Sequence, residues 1–249
     1  MRYGLCNLGI VPLRLEASDQ SELVSQVLYG ERFKVLDRRK KWSRVRLDVD
    51  GYEGWIDNKQ YQEVTQEDYD HLNSKAPELT SDLVEYITTA QGSLVLLPIG
   101  SDVSVAGHLG HRFDGECIKE RLPKQKLIAT ALLFLNSPYL WGGKSPLGID
   151  CSGFTQLVYR LCGYPIKRDA SQQAEQGEAL SFIEESEPGD LAFFDNAEGS
   201  IIHVGIIMAD HHIIHAHGKV RIDRLDHSGI FNTHRGLHTH KLRVFKRIV

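Results

Sequence analysis

The stretch Asp150-Cys151-Ser152-Gly153-Phe154 sets a cysteine between a glycine-rich segment and an apolar run. Upstream, Tyr139-Leu140-Trp141-Gly142-Gly143 and Gly148 read as loop. Downstream, Phe154, Leu157, Val158 and Leu161 recur at helical spacing. Cys151 is therefore expected in the first turn of a helix, where unpaired backbone N–H groups and the positive end of the helix dipole favour thiolate over thiol. Asp150, just before it, suits a helix cap. Cys162 lies eleven residues on, beside Leu161 with no cap nearby. It reads as an inert packing residue well inside the same helix.

A nucleophilic cysteine needs a base. His203 opens His203-Val204-Gly205-Ile206-Ile207-Met208, and His215 closes His212-Ile213-Ile214-His215, two short apolar runs about a turn at residues 209–211. The two histidines are twelve residues apart. In a regular antiparallel hairpin they share a face only if the loop has an odd number of residues, so an odd loop centred near Asp210, or a bulge, is expected. A tight two-residue turn at Asp210-His211 would put them on opposite faces.

Length and composition bound the remainder. With 249 residues, 41% of them hydrophobic, the chain is long enough for two or three packed domains. A net charge of −4 gives no electrostatic footprint for nucleic acid or an anionic membrane. No apolar stretch approaches the roughly 18 residues of a membrane span, and Met1-Arg2-Tyr3-Gly4-Leu5-Cys6 lacks the apolar run of a signal peptide, so a cytoplasmic protein is expected. The four cysteines, at 6, 117, 151 and 162, show no paired spacing and are expected as free thiols.

Residues 1–63 carry a different pattern. Alternating runs at Gly9 to Leu15, Ser25 to Leu28, Phe33 to Asp37, Trp42 to Leu47 and Gly51 to Ile56, with turn residues between, predict a small β-barrel. Trp42 is expected in its core, and the Gly54-Trp55 pair at a structural corner. Residues 64–122 read as a polar helix over Thr65 to Lys75, broken at Ala76-Pro77, then two strands at Leu83 to Thr89 and Ser93 to Pro98. Residues 123–249 begin with an amphipathic helix over Pro123 to Asn136.

A cysteine opening a helix, followed by histidines on later strands, is the papain-like order. The chain resembles the NlpC family of cell-wall cysteine peptidases at Pro138-Tyr139-Leu140-Trp141-Gly142-Gly143, Asp150-Cys151-Ser152-Gly153-Phe154, Arg168-Asp169-Ala170-Ser171-Gln172-Gln173, Glu187-Pro188-Gly189-Asp190-Leu191-Ala192-Phe193-Phe194, His203-Val204-Gly205-Ile206 and Ile214-His215-Ala216. The resemblance covers residues 123 to 249. It implies an α+β fold, a papain-like domain with a helix packed on an antiparallel sheet. It also implies Cys151 as nucleophile, His203 as general base and His215 as the residue orienting the His203 ring. His217 stands where the family often has a small residue.

The strings Ser25-Gln26-Val27-Leu28-Tyr29-Gly30-Glu31, Trp42-Ser43-Arg44-Val45-Arg46 and Asp50-Gly51-Tyr52-Glu53-Gly54-Trp55-Ile56 resemble the bacterial SH3-type domain attached to many wall enzymes. By analogy, residues 64–122 are either a degenerate second unit of this type or a linker helix with a short β segment. The combination is similar to the γ-D-glutamyl-L-diamino acid peptidases, which process murein peptides bearing a free N-terminal L-alanine. That likeness implies murein-derived peptides as partners, no cofactor, and a substrate amine met by Glu22, Tyr52, Asp150 and Ser152. It extends the substrate-binding set to Tyr139, Trp141, Asp169 and Ser171.

Four other readings bear on the same residues. His211, His212, His215, His217, His234, His238 and His240 raise a zinc site, which no HExxH or paired CxxC accompanies. A wall-binding protein without activity is argued against by the intact Cys151, His203 and His215. An acyltransferase of the papain-like superfamily, or a general wall endopeptidase with no N-terminal requirement, shares the same nucleophile.

Overall fold

The computed structural model describes residues 1–233 and 235–249. Two compact units form, one from residues 1–120 with Trp141–Pro146, the other from residues 121–140 and 147–249.

The first unit opens with seven strands, β1 (Arg2–Leu5), β2 (Ile10–Arg14), β3 (Leu23–Leu28), β4 (Arg32–Arg38), β5 (Trp42–Leu47), β6 (Glu53–Asp57) and β7 (Gln62–Val64). They form one sheet in the order β3-β2-β6-β5-β4-β1-β7. Inward positions of the alternating runs supply its core: Val11, Leu13, Val27, Phe33, Val35, Val45, Leu47 and Ile56. Trp42 is buried, as its pattern predicts. Gly54 is a close-approach site, where an added Cβ would lie 2.6 Å from Leu13 Cγ. The sequence pattern missed β1 and β7.

Helix α1 (Gln66–Asn73) begins where the side chain of Thr65 accepts from the Asp68 N–H, and it buries Tyr69 and Leu72. Strands β8 (Leu79–Thr80), β9 (Val84–Thr88), β10 (Leu94–Pro98) and β11 (Cys117–Ile118) follow, with β9 paired to β10 and β8 to β11. Leu72, Ile87, Leu97, Val103 and Val105 share a hydrophobic cluster with Leu5 and Tyr29, so this stretch completes its core with residues of the barrel.

Trp141–Pro146, placed by sequence in the catalytic half, packs with the first unit. Lys144 is buried, its Nζ 2.9 and 3.1 Å from the Glu31 carboxylate oxygens, and its N–H donates to Gln26 Oε1 at 2.6 Å.

The second unit contains α2 (Lys126–Leu132), then, after the short strands β12 (Lys144–Ser145, on the segment just described) and β13 (Gly148–Ile149), α3 (Cys151–Leu161) and α4 (Ala170–Gln173). Its strands are β14 (Glu178–Leu180), β15 (Leu191–Asp195), β16 (Ile201–Met208), β17 (His212–His217), β18 (Lys219–Asp226), β19 (Gly229–Asn232) and β20 (Leu237–Arg247). They run β14-β20-β15-β16-β17-β18-β19 in antiparallel order, and β19 pairs again with β20. Helix α3 packs against β16 and β17. The α+β class and the helix-on-sheet arrangement are those expected.

Two local expectations are corrected. Helix α2 is shorter than residues 123–136: Gln125 provides no side-chain cap, and Asn136 adopts a left-handed φ of 71° that ends helical backbone. Cys162 is not deep inside α3 but its C-terminal cap residue, with φ −87° and ψ 2°. It remains fully buried, 3.5 Å from the Thr130 hydroxyl.

Candidate active site

The site in the second unit is built on the N-terminus of α3 and the face of β16, β17 and β18. Cys151 is the first residue of α3. The preceding Asp150 caps the helix, its Oδ1 accepting from the Gly153 N–H at 2.6 Å. The Asp150 carboxylate also receives both arms of buried Arg168, at 3.0 and 2.7 Å, and Arg168 reaches Ser152 Oγ at 3.0 Å. Gln173, fully buried on α4, donates to the carbonyls of Ser152 and Lys167 at 3.0 and 2.8 Å and accepts from Thr155 Oγ1 at 2.7 Å. These bonds fix the first turn of α3, and with it Cys151.

Strands β16 and β17 meet through a three-residue loop, with Ile206 opposite Ile214, Ile207 opposite Ile213 and Met208 opposite His212. The odd loop is the predicted one. Its Asp210 and His211 take left-handed φ values of 55° and 56°, a region that aspartate and histidine enter more readily than most side chains. Continued outward, this register sets Gly205 opposite His215 and brings His203, His215 and His217 to one face. An added Cβ at Gly205 would lie 2.9 Å from His215 Cβ, so the missing side chain makes room for the imidazole.

The rings are connected. His203 Nε2 lies 2.8 Å from His215 Nδ1, and His215 Nε2 lies 3.0 Å from Asp223 Oδ2 on β18. Arg221 forms an ion pair with Asp223 at 2.7 Å and donates from its second arm to Oδ1 at 2.8 Å. Nε2 is thus the His203 nitrogen that His215 engages. The Val204 N–H, one residue along β16, is directed at the Cys151 sulfur. His240 on β20 stacks on His203, centroids 4.2 Å apart and planes at 23°, and His217 stands 4.8 Å from His240 at a right angle.

Burial governs the protonation states. It pushes the Cys151 thiol up to about 12, helped by the Asp150 charge and opposed by the Val204 N–H, Arg168 and the Ser152 N–H. It pushes His203 well below its ordinary value, with His215, His240 and His217 adding to the effect. Both shifts favour the neutral thiol and the neutral imidazole. Burial thus opposes the thiolate that the helix start favours.

Tyr139 is half-buried near Cys151, Asp150 and Arg168, and burial raises its phenol to about 12. Asp169, preceding α4, donates its N–H to Gln172 Oε1 at 3.4 Å, and Ser171 is exposed on the same short helix. In the first unit, exposed Glu22 accepts from Trp141 Nε1 at 2.6 Å, and Tyr52 packs beside the barrel core. Cys151, His203, His215, Asp150, Ser152 and Tyr139 thus come together within one unit, and Glu22 and Trp141 within the other.

Among the described residues, no group of three or more His, Cys, Asp or Glu is placed to hold a metal ion. Of the histidines weighed for zinc, His238 pairs with Asp226 at 2.9 Å, His211 is exposed at the hairpin turn, and His234 lies outside the described residues. Asp223, Gln173 and His240 carry contacts that the sequence reading did not assign. Arg168 was quoted in a motif and given no role.

Known proteins give the geometry a context. Residues 136–237 match the NlpC/P60 family, and residues 13–60 match the bacterial dipeptidyl-peptidase Sh3 domain. The γ-D-glutamyl-L-lysine dipeptidyl-peptidase of Bacillus subtilis is 30% identical over 240 residues, covering 86% of this chain and 75% of that protein. The probable endopeptidase p60 of Listeria seeligeri is 38% identical over 104 residues, which is 41% of this chain and 20% of that one. In fold, an NlpC/P60 family protein from Bacillus cereus superposes with a TM-score of 0.78 over 99% of both chains at 20% identity. No helix among the described residues is long and apolar enough to cross a membrane. A peptidase-family match around a helix-borne cysteine and a two-histidine row, joined to likeness along most of a relative's length, shows that the chain belongs to the NlpC/P60 family of cysteine peptidases.

Proposed function

We propose that this peptidase hydrolyses the γ-D-glutamyl bond to a diamino acid in murein-derived peptides that carry a free N-terminal L-alanine. One observation carries this reading: the likeness to the B. subtilis γ-D-glutamyl-L-lysine dipeptidyl-peptidase runs through both the Sh3 domain and the peptidase domain, whereas that to the p60 endopeptidase is confined to 104 residues. Four free thiols accord with a reducing compartment, and action on released peptides in the cytoplasm is part of the proposal.

The chemistry follows from the site. His203 Nδ1 takes the Cys151 proton as the sulfur attacks the amide carbonyl, the imidazolium returns it to the leaving amine, and water, deprotonated by His203, releases the acyl group from sulfur. Backbone N–H at the start of α3, that of Cys151 first, meets the oxyanion, a donor whose loss costs about 10²–10³ in rate. A buried ammonium left without a carboxylate is costly, so a site that supplies one rejects N-blocked substrates. The family resemblance assigns this supply to Glu22, with Tyr52, Asp150 and Ser152. Arg168 already matches the Asp150 charge, which makes Glu22 the carboxylate to test.

Mass spectrometry of digests of L-Ala-γ-D-Glu-L-Lys and its diaminopimelate counterpart, with and without N-acetylation, tests the reading. Cleavage after D-Glu in the free-amine peptides alone is expected, and E22Q should lower kcat/KM for these far more than for blocked ones. Equal cleavage of acetylated peptide would leave a general wall endopeptidase.

A further inference from the structure

The row from Asp223 to His203 has a fixed hydrogen-bond direction. An ionised carboxylate only accepts, so His215 Nε2, 3.0 Å from Asp223 Oδ2, carries a hydrogen. Burial pushes His215 down, and the opposing pull of Asp223 does not overcome it, so the ring is neutral and its Nδ1 is bare. A bare nitrogen only accepts, so His203 Nε2, 2.8 Å away, is the donor. His203 is also neutral, which leaves its Nδ1 with the lone pair.

We propose that Asp223 is a positioning residue that sets the tautomers of both imidazoles through this row and so presents His203 Nδ1 as the base for Cys151. The inference rests on the assignment of Cys151 and His203 above. Without a fixed acceptor at its end the row can run in reverse, with His215 Nδ1–H donating to a bare His203 Nε2. The hydrogen then sits on His203 Nδ1 and the base is blocked. Arg221 holds the acceptor in place: burial works against the Asp223 charge, but hydrogen bonds from His215 and Arg221 outweigh it and keep the carboxyl below its ordinary value. The other titratable groups facing the row are Cys151 from α3, His217 from β17 and His240 from β20. The alternative that Asp223 merely braces β18 predicts no tautomer change.

Nitrogen-15 NMR of histidine-labelled full chain at pH 7, assigned with single histidine variants, reads the tautomers directly and needs no substrate. His203 and His215 should both be neutral Nε2–H forms. A hydrogen on His203 Nδ1, or a His215 imidazolium, in the wild type would overturn the proposal. D223N, whose amide can donate, should move His203 toward the Nδ1–H form and lower kcat by about 10²-fold with little change in KM, while D223E restores part of the loss. In a double-mutant cycle, H215A/D223A should be no slower than H215A, since Asp223 acts through His215. An additive loss, or an unchanged His203 tautomer in D223N, would reduce Asp223 to a brace. Alkylation of Cys151 by iodoacetamide, slowed in D223N, gives the same reading even if no murein peptide is cleaved, so the two proposals fail separately.

Discussion

At the scale of single residues, the contest at Cys151 is between a helix terminus and burial. A helix N-terminus stabilises an anion by about 0.3–1 kcal/mol, rising to about 2 in partly buried geometries. Raising a thiol from 9.0 to about 12 corresponds to about 4 kcal/mol against the thiolate. Burial opposes the thiolate more than the helix end favours it, and in the proposed mechanism the proton leaves Cys151 for His203 during attack. Cys151→Ala should therefore lower kcat by about 10⁵-fold or more while substrate binding persists. Cys162, capping the far end of α3 against Thr130, has no base beside it, and Cys162→Ala should leave kcat within about twofold. Steady-state rates and isothermal titration of the two variants check both statements, and loss of turnover in Cys162→Ala would refute the assignment.

At the scale of elements, the hairpin of β16 and β17 delivers the histidines, and Gly205 governs their spacing. A Cβ there would stand 2.7 Å from Ile213 Cδ1 and 2.9 Å from His215 Cβ. Ile213 can turn its end aside, but His215 cannot move its own Cβ without shifting β17. Gly205→Ala should thus misplace His215 against His203 and cut kcat by at least about 10-fold, with KM nearly unchanged, because a small displacement costs rate before binding. Full activity in that variant would mean the His203–His215 contact is dispensable.

This hairpin was legible beforehand because two apolar runs and the parity of two histidines constrain it locally. Asp223 was not. In Lys219–Asp226 the apolar Val220 and Ile222 point a reader to the even-numbered face, yet Ile222 is 36% exposed and Asp223 only 4%. Burial of Asp223 follows from its bonds to His215 and Arg221, which no periodicity encodes. Strands β1 and β7 escaped for a similar reason, since each is four residues or fewer and is held by pairing with distant partners. Within residues 64–122, α1, β9 and β10 were readable, but not β8 and β11, nor that the core closes on Leu5 and Tyr29.

At the scale of the whole molecule, four histidines cluster in the second unit, His203 and His215 buried and His217 and His240 half-buried, and that makes the fold sensitive to acid. His203, His215, His217 and His240 all lie below their ordinary value of 6.5, each chiefly through burial, and His240 falls to about 3. The unfolded chain takes up these protons near pH 6.5, whereas the folded chain resists until each lower value is reached. Between those limits the unfolded state binds more protons, so stability falls as pH drops below about 6.5 and is fully present above it. Buried His203 and His215, where still neutral in the fold at pH 5, each cost at most about 2 kcal/mol over that interval, and half-buried His217 and His240 cost less because solvent screens them. The same lowering keeps His203 available as a base in mild acid, so the acid limb of kcat/KM should lie below pH 6.5. Urea unfolding at pH 7.5 and 5.0 should show the loss, and His240→Gln should recover part of it, since glutamine brings no proton to the cluster. A fold equally stable at both pH values would mean that the histidines are charged within it.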